Sequence, residues 1–299
     1  MKHPAVLLAA LLLAACASLM TYRVGCSAIL LPTVPAKAWK LSMQAHLKPD
    51  LRGITLKVGF PATEGNQMVM EETITSGSLN FTLERKAENQ IGVWTGNPGP
   101  NGEVVGYQAT VLIRRREASG NASPPLGPYP EGVSLDDRQL LGRIVSGWTA
   151  LPVPQRIRTI GNVGAGELEG GAAPEEDVKA WPGFREKHWR VSSMLALFRA
   201  ANFPARAAQG FVLEDSVMNA PIQWVEVRNG SGWERLNSDT GAVYPASLAL
   251  FALTRGGTPS VEVSSGPLPD VRWSMSREIL AQWRVLFERI RRSSRLLDR

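Results

Sequence analysis

Nucleophilic and acid–base chemistry needs thiols, imidazoles or paired carboxylates, and this 299-residue sequence supplies few of them. Its two cysteines, Cys16 and Cys26, both lie near the N-terminus, so no later segment can use a thiolate. The three histidines, His3, His46 and His188, are far apart, and no H-x-x-x-H or C-x-x-C spacing appears. Neither a zinc site nor any other cofactor is expected from such a pattern. Glu186 and His188 invite pairing as acid and base. On a helix, however, residues two apart point about 200° from one another and cannot meet on one face. The glycine-rich run from Gly161 to Pro174 lacks the G-K-[ST] ending of a phosphate-cradling loop and reads as a plain loop. Three charged residues remain in the same half of the chain. Arg206 reads as a framework contact, Glu226 as the solvent-side residue of a strand, and Asp239 as a turn carboxylate.

The elements that would position such residues are clearest from Trp189 to Asn237. Met194, Leu195, Phe198 and Ala201 share a helical face, and Ala196 and Ala200 keep helix propensity high. Asn202-Phe203-Pro204 stops that helix, because proline has no N–H for the ladder and restricts its predecessor. Ala205 to Val212 then reads as a strand. Trp224 to Val227 reads as a second, Asn229-Gly230-Ser231-Gly232 as a hairpin turn, and Trp233 to Leu236 as a third. One helix thus feeds an antiparallel sheet.

The residues Leu197-Phe198-Arg199-Ala200-Ala201-Asn202-Phe203-Pro204-Ala205-Arg206, Gly210-Phe211, Trp224-Val225-Glu226-Val227 and Gly232-Trp233 resemble the framework of the transglutaminase-like (papain-like) core. That family opens the helix with a cysteine, places a histidine two residues before the tryptophan, and sets an aspartate four residues after the second tryptophan. The resemblance puts these slots at Lys187, Ile222 and Asn237. Isoleucine cannot accept a proton, and an exposed lysine is an ammonium at neutral pH. Losing nucleophile and base together should abolish covalent acyl transfer. Asp239 lies two residues past the carboxylate slot, a slip that would keep it on the same strand face.

Composition fits a folded chain with ample core. The net charge of +6 is uneven: Ser276 to Arg299 holds seven arginines and three acids, a net of +4. In that tail Ile279, Leu280, Trp283, Leu286, Phe287, Ile290 and Leu297 recur at helical spacing, so 270–299 is expected to be a basic amphipathic helix. It suits an anionic membrane surface, and a nucleic-acid partner is not expected of an exported chain. Export is read from the other end. Ala5 to Tyr22 is an uncharged apolar run of 18 residues after Met1-Lys2-His3. It reads as a transmembrane anchor over 1–23, with a cleaved signal and a lipoprotein signal at Cys16 as alternatives.

Between these ends the sequence divides. Residues 37–116 alternate in the style of a small antiparallel β-sandwich. Trp39 to Phe60 reads as a strand pair joined near Pro49-Asp50, and Val104 to Arg114 as a last long strand. Residues 117–133 read as a linker rich in Ala, Ser, Gly and Pro. Residues 134–265 read as the transglutaminase-like domain, entered by a helix capped at Ser134 with Leu135, Leu140, Leu141, Ile144, Val145 and Trp148 on its apolar side. The expected fold class is α+β. The arrangement resembles the bacterial family described as an inactive transglutaminase fused to seven transmembrane helices. What that implies is a catalytically inactive periplasmic domain, anchored in the inner membrane, that binds a peptide or protein in the degenerate cleft. No second run is long enough to span a bilayer, so the seven-transmembrane part would be separately encoded or belong to a longer protein. The competing expectation is a hydrolase or amidase with relocated residues, His188 or Asp239.

Overall fold

The computed structural model describes residues 37–278, except 65–66, 87, 114–124, 168–174, 182, 184–189, 214–215, 219, 231, 246–247, 249 and 265. The expected anchor, Cys16, residues 117–124 of the linker, Glu186, Lys187, His188 and the tail from Ile279 lie outside the described residues. Among the described residues no helix is long and apolar enough to cross a membrane.

Strand β1 (Lys37–Leu47) shows how the chain builds sheet. Trp39, Leu41, Met43, Ala45 and Leu47 are buried, whereas Lys40, Gln44 and His46 face out, so period-two alternation fixes which face enters the core. The other strands are β2 (Ile54–Phe60), β3 (Gln67–Thr75), β4 (Asn80–Lys86), β5 (Asn89–Gly96), β6 (Glu103–Ile113), β7 (Ala205–Val212), β8 (Ser216–Met218), β9 (Ile222–Asn229), β10 (Gly232–Asn237), β11 (Leu250–Arg255), β12 (Val261–Val263) and β13 (Asp270–Glu278). They form three sheets, in the orders β3-β6-β1-β13-β8, β12-β2-β5-β4 and β10-β9-β7-β11.

The first two sheets enclose one core, in which the Phe60 ring stacks on Tyr107 at 3.9 Å and meets Trp94 edge-on at 5.7 Å. β1 and β2 are not the pair that their succession suggested. β1 bonds to β6 and β13, and β2 to β5 and β12. The Pro49-Asp50 turn therefore carries the chain from one sheet to the other. The sandwich also takes strands from beyond the third sheet: β13 runs antiparallel to β1 from Ala38↔Glu278 to His46↔Asp270. Residues 37–116 thus do not complete the sandwich alone, and 270–278 is a strand, not the start of the expected helix. Its sequence carried the signal, since Val271, Trp273 and Met275 alternate inward at period two.

The third sheet packs one face on helices. Helix α1 (Leu135–Ser146) begins with a capping box: Asp137 N–H donates to Ser134 Oγ at 3.1 Å and Ser134 N–H to Asp137 Oδ2 at 3.0 Å. Ser134→Ala should therefore lower stability by about 1 kcal/mol, read as a shift in the urea midpoint at unchanged slope. Leu141, Ile144, Val145 and Trp148 are buried as expected, but Leu135 is 68% exposed, because its position in the first turn faces away from the core.

Helix α2 (Val153–Gly164) was not foreseen. Pro152 and Pro154 mark its beginning, where proline's missing N–H costs nothing, and Gly161 to Gly164 is its last turn rather than a loop. The short α3 spans Glu175–Ala180.

Helix α4 (Arg190–Ala200) is the central helix. It ends where the sequence said, by a Schellman turn. Phe203 N–H bonds to Phe198 O at 2.9 Å and Asn202 N–H to Arg199 O at 3.2 Å, with Asn202 at φ 58°. The Phe203 ring meets Phe198 edge-on and closes the end with an apolar contact.

Candidate functional site

The register of the third sheet decides which side chains share a face. Val225, Val227 and Leu236 belong to the core made with α1, α2 and α4, so that face is closed by helices. The alternate residues face the other way. Trp224 stands opposite Ala208 on β7 and Asn237 on β10, and Glu226 stands opposite Arg206 and Arg235. Ile222 is two residues from Trp224 on the same strand and face. Ile222 and Asn237 are therefore diagonal neighbours, about 7–8 Å apart across a strand pair. The structure brings together these two of the three sequence-derived slots. Lys187 lies outside the described residues. Arg190, three residues later at the start of α4, bonds to Asp239 O at 2.9 Å and Oδ1 at 3.2 Å, which ties the helix entrance to the turn after Asn237.

Both described slots are engaged in other contacts. Ile222 packs against a small apolar cluster of Ala208, Trp224, Leu250 and Ala252. Asn237 is committed to its own turn. Its Oδ1 accepts the N–H groups of Asp239 at 2.7 Å and Thr240 at 3.1 Å, and its Nδ2 donates to Tyr244 Oη at 2.9 Å. This is the local capping that asparagine does well, and it satisfies backbone donors that the end of β10 would otherwise leave open. Burial raises the Tyr244 phenol above its ordinary value, and nearby Asp239 adds to that. Asp239 itself is in the turn, not on the strand face, because β10 ends at Asn237. Its side chain is 79% exposed and turned to Arg190.

The charged centre of this face is Glu226, which is 1% exposed rather than on the solvent side as its alternation suggested. Its Oε2 accepts from Arg206 Nε at 2.8 Å and Arg255 Nε at 3.1 Å, and its Oε1 lies 3.6 Å from Arg235 Nε and 3.4 Å from Trp224 Nε1. The sandwich contributes the remaining charges. Glu64 reaches the Nη1 atoms of Arg206 and Arg255, each at 3.2 Å, and Glu88 also pairs with Arg206. The Arg206 guanidinium lies over the Trp233 ring at 4.1 Å. Burial pushes the Glu226 carboxyl up, but Arg255, Arg206 and Arg235 more than reverse this and hold it at about 2. A carboxylate pinned there cannot work as a general base near neutral pH. Arg206 is thus a framework contact, as its sequence context indicated.

Arg235 was legible in the alternation of Trp233, Arg235 and Asn237. Glu64, Glu88 and Arg255 carried no sequence signal, because only tertiary folding brings them to Glu226. Among the described residues no three His, Cys, Asp or Glu side chains gather as a metal would require.

No family model matches the sequence. No curated protein matches it either. In structure the chain is similar to one from Cytophaga hutchinsonii described as a "Putative Cysteine Protease", with a TM-score of 0.56 and 12% sequence identity. The likeness covers 82% of this chain and 91% of that one, so it extends well beyond the helix and hairpin into the sandwich. At this identity it is a likeness of fold: the protein has a mixed α+β architecture of antiparallel sheets and few helices, consistent with a papain-like fold.

Proposed function

We propose that the chain is a non-catalytic transglutaminase-like module that binds a peptide or protein segment at the face where the family keeps its triad. The observation that carries this reading is the state of the two described slots. Ile222 sits in an apolar cluster and offers no proton acceptor, and Asn237 spends its amide on its own turn. The lack of any cysteine after Cys26 supports it, since no thiol from the folded region can serve as nucleophile. An apolar patch beside satisfied polar groups suits binding without turnover. On this reading the chain is a relative of the inactive transglutaminases that accompany seven transmembrane helices. Its N-terminal apolar run anchors it in the inner membrane, its bulk is periplasmic, and a separately encoded seven-transmembrane protein is its partner.

The test is an assay of the purified full chain for ammonia release from glutamine peptides and for amidase turnover. No rate above the uncatalysed background is expected. Turnover that disappears in Lys187→Ala or Asn237→Ala would overturn the proposal.

A further inference from the structure

An exposed sheet edge carries unpaired N–H and C=O groups, and proteins normally block such edges. Among the described residues, five of the six sheet edges are blocked or short. The outer edge of β11 is closed by two side-chain amides. Gln67 takes both backbone groups of Ala252 at 3.1 and 3.0 Å, and Asn89 takes both of Arg255 at 2.7 and 2.9 Å. The end of β10 is covered by residues 242–244, through Asn237 N–H to Ala242 O and Tyr244 N–H to Arg235 O. β3 is bulged between Met70 and Thr73, with Glu71 at φ 55°, and Val69 N–H is taken by Thr63 Oγ1. β8 and β12 are three residues long. The sixth edge is β4. It pairs with β5 in unbroken register from Asn80↔Thr95 to Lys86↔Asn89, and among the described residues nothing bonds to its other side.

We propose that β4 is a docking edge that takes an extended peptide of a partner protein as an added strand, with a lysine or arginine of that peptide in the adjoining cleft. A regular seven-residue edge offers the repeated main-chain bonds that strand addition needs. The cleft at its C-terminal end holds about 540 Å³ and is lined by Arg85, Glu64, Glu72 and Glu88. Glu64 and Glu88 already pair with arginines. Among the described residues Glu72 receives only neutral donors, Tyr107 Oη and Gln90 Nε2, each at 2.8 Å. A cationic side chain entering beside Glu72 meets a carboxylate that has no cation of its own among the described residues. The cleft shares Glu64 and Glu88 with the Glu226 network, but the β4 edge and Glu72 take no part in the contacts of Ile222 and Asn237, so the proposal stands whether or not that face binds anything.

The probe is a blocked heptapeptide alternating threonine and valine about a central lysine, added at millimolar concentration to the full chain. Amide hydrogen exchange should show alternate amides of Asn80–Lys86 gaining protection. Replacing the peptide's lysine by glutamate, or the protein's Glu72 by Gln, should weaken binding about fivefold, the size of a partly screened charge pair. Unchanged exchange along β4 would overturn the proposal. So would equal binding of the lysine and glutamate peptides. Sedimentation showing that a second copy of the chain occupies this edge would assign it to self-association and overturn it as well.

Discussion

Glu226→Ala should lower the unfolding free energy by about 3–5 kcal/mol in urea denaturation, the usual result of removing one partner from a buried ion cluster. Three guanidinium groups, those of Arg206, Arg235 and Arg255, face this carboxylate. Without it, Arg206 and Arg255 keep Glu64, and Arg206 also Glu88, as counter-charges, and both of these carboxylates are more exposed than Glu226. The penalty comes from desolvated cations that lose their counter-charge, more than from the net worth of any single bond. Replacing Glu226 and Arg255 together by Leu and Met should therefore cost less than Glu226→Ala alone. A loss below about 1 kcal/mol for Glu226→Ala would mean that water or other groups already screen the cluster.

The same cluster predicts a pH dependence with a definite sign. The folded carboxyl of Glu226 is held at about 2, below the ordinary 4.5. The unfolded chain therefore binds more protons in that window, and the contribution of Glu226 is complete above the ordinary value and is lost as pH falls toward 2. Between pH 4.5 and 3 wild type should lose about 2 kcal/mol that Glu226→Gln does not lose. The difference between the two proteins is what reports on Glu226.

That cluster also marks where the sequence stopped being informative. The helix stop at Asn202-Phe203-Pro204, the hairpin at Gly230 and the capping box at Ser134 are local devices, and each was readable because its partners lie within a few residues. The alternation of Trp224 and Glu226 was equally clear, but alternation assigns a side chain to a face and does not say what covers that face. Glu226 was read as solvent-facing because the elements that bury it, Glu64, Glu88 and Arg255, come from distant parts of the chain. The return of β13 to pair with β1 failed to be foreseen for a related reason. Its period-two signal was present, yet nothing local says that a strand at residue 271 closes a sheet begun at residue 38. The candidate site followed the same division. Ile222 and Asn237 were singled out by the family resemblance and share a face through the β9–β10 register, whereas the turn that engages Asn237 needed Tyr244 to be seen beside it.

Helix α2 gives the second large effect. Its glycines were read as part of a glycine-rich loop, and glycine does lower helix propensity by about 1 kcal/mol per residue relative to alanine. The structure shows what offsets that cost. Gly161 lies against the Gly241 turn, so closely that a Cβ on Gly241 would stand 2.3 Å from the Gly161 carbonyl and 2.5 Å from Asn162 N. Both obstacles are backbone of a packed helix and cannot swing aside as a side-chain end could. Gly241 also sits at φ +69°, where a side chain adds strain of its own. Gly241→Ala should therefore destabilise the protein by about 3–4 kcal/mol, the sum of overpacking and left-handed strain. Gly230→Ala is the control. It shares a positive φ of 56° but has nothing within 4 Å of its Cβ, so it should cost only about 1 kcal/mol. Equal losses in the two variants would show that backbone conformation alone, and not the approach of α2, sets the requirement at Gly241. A larger loss at Gly241 also has a local readout. The turn from Asn237 to Ala242 is held by Asn237 Oδ1 and by Gly241 N–H to Asn237 O at 2.9 Å. Pushing Gly241 off α2 should speed hydrogen exchange at Asp239, Thr240 and Gly241 before the rest of the sheet is affected.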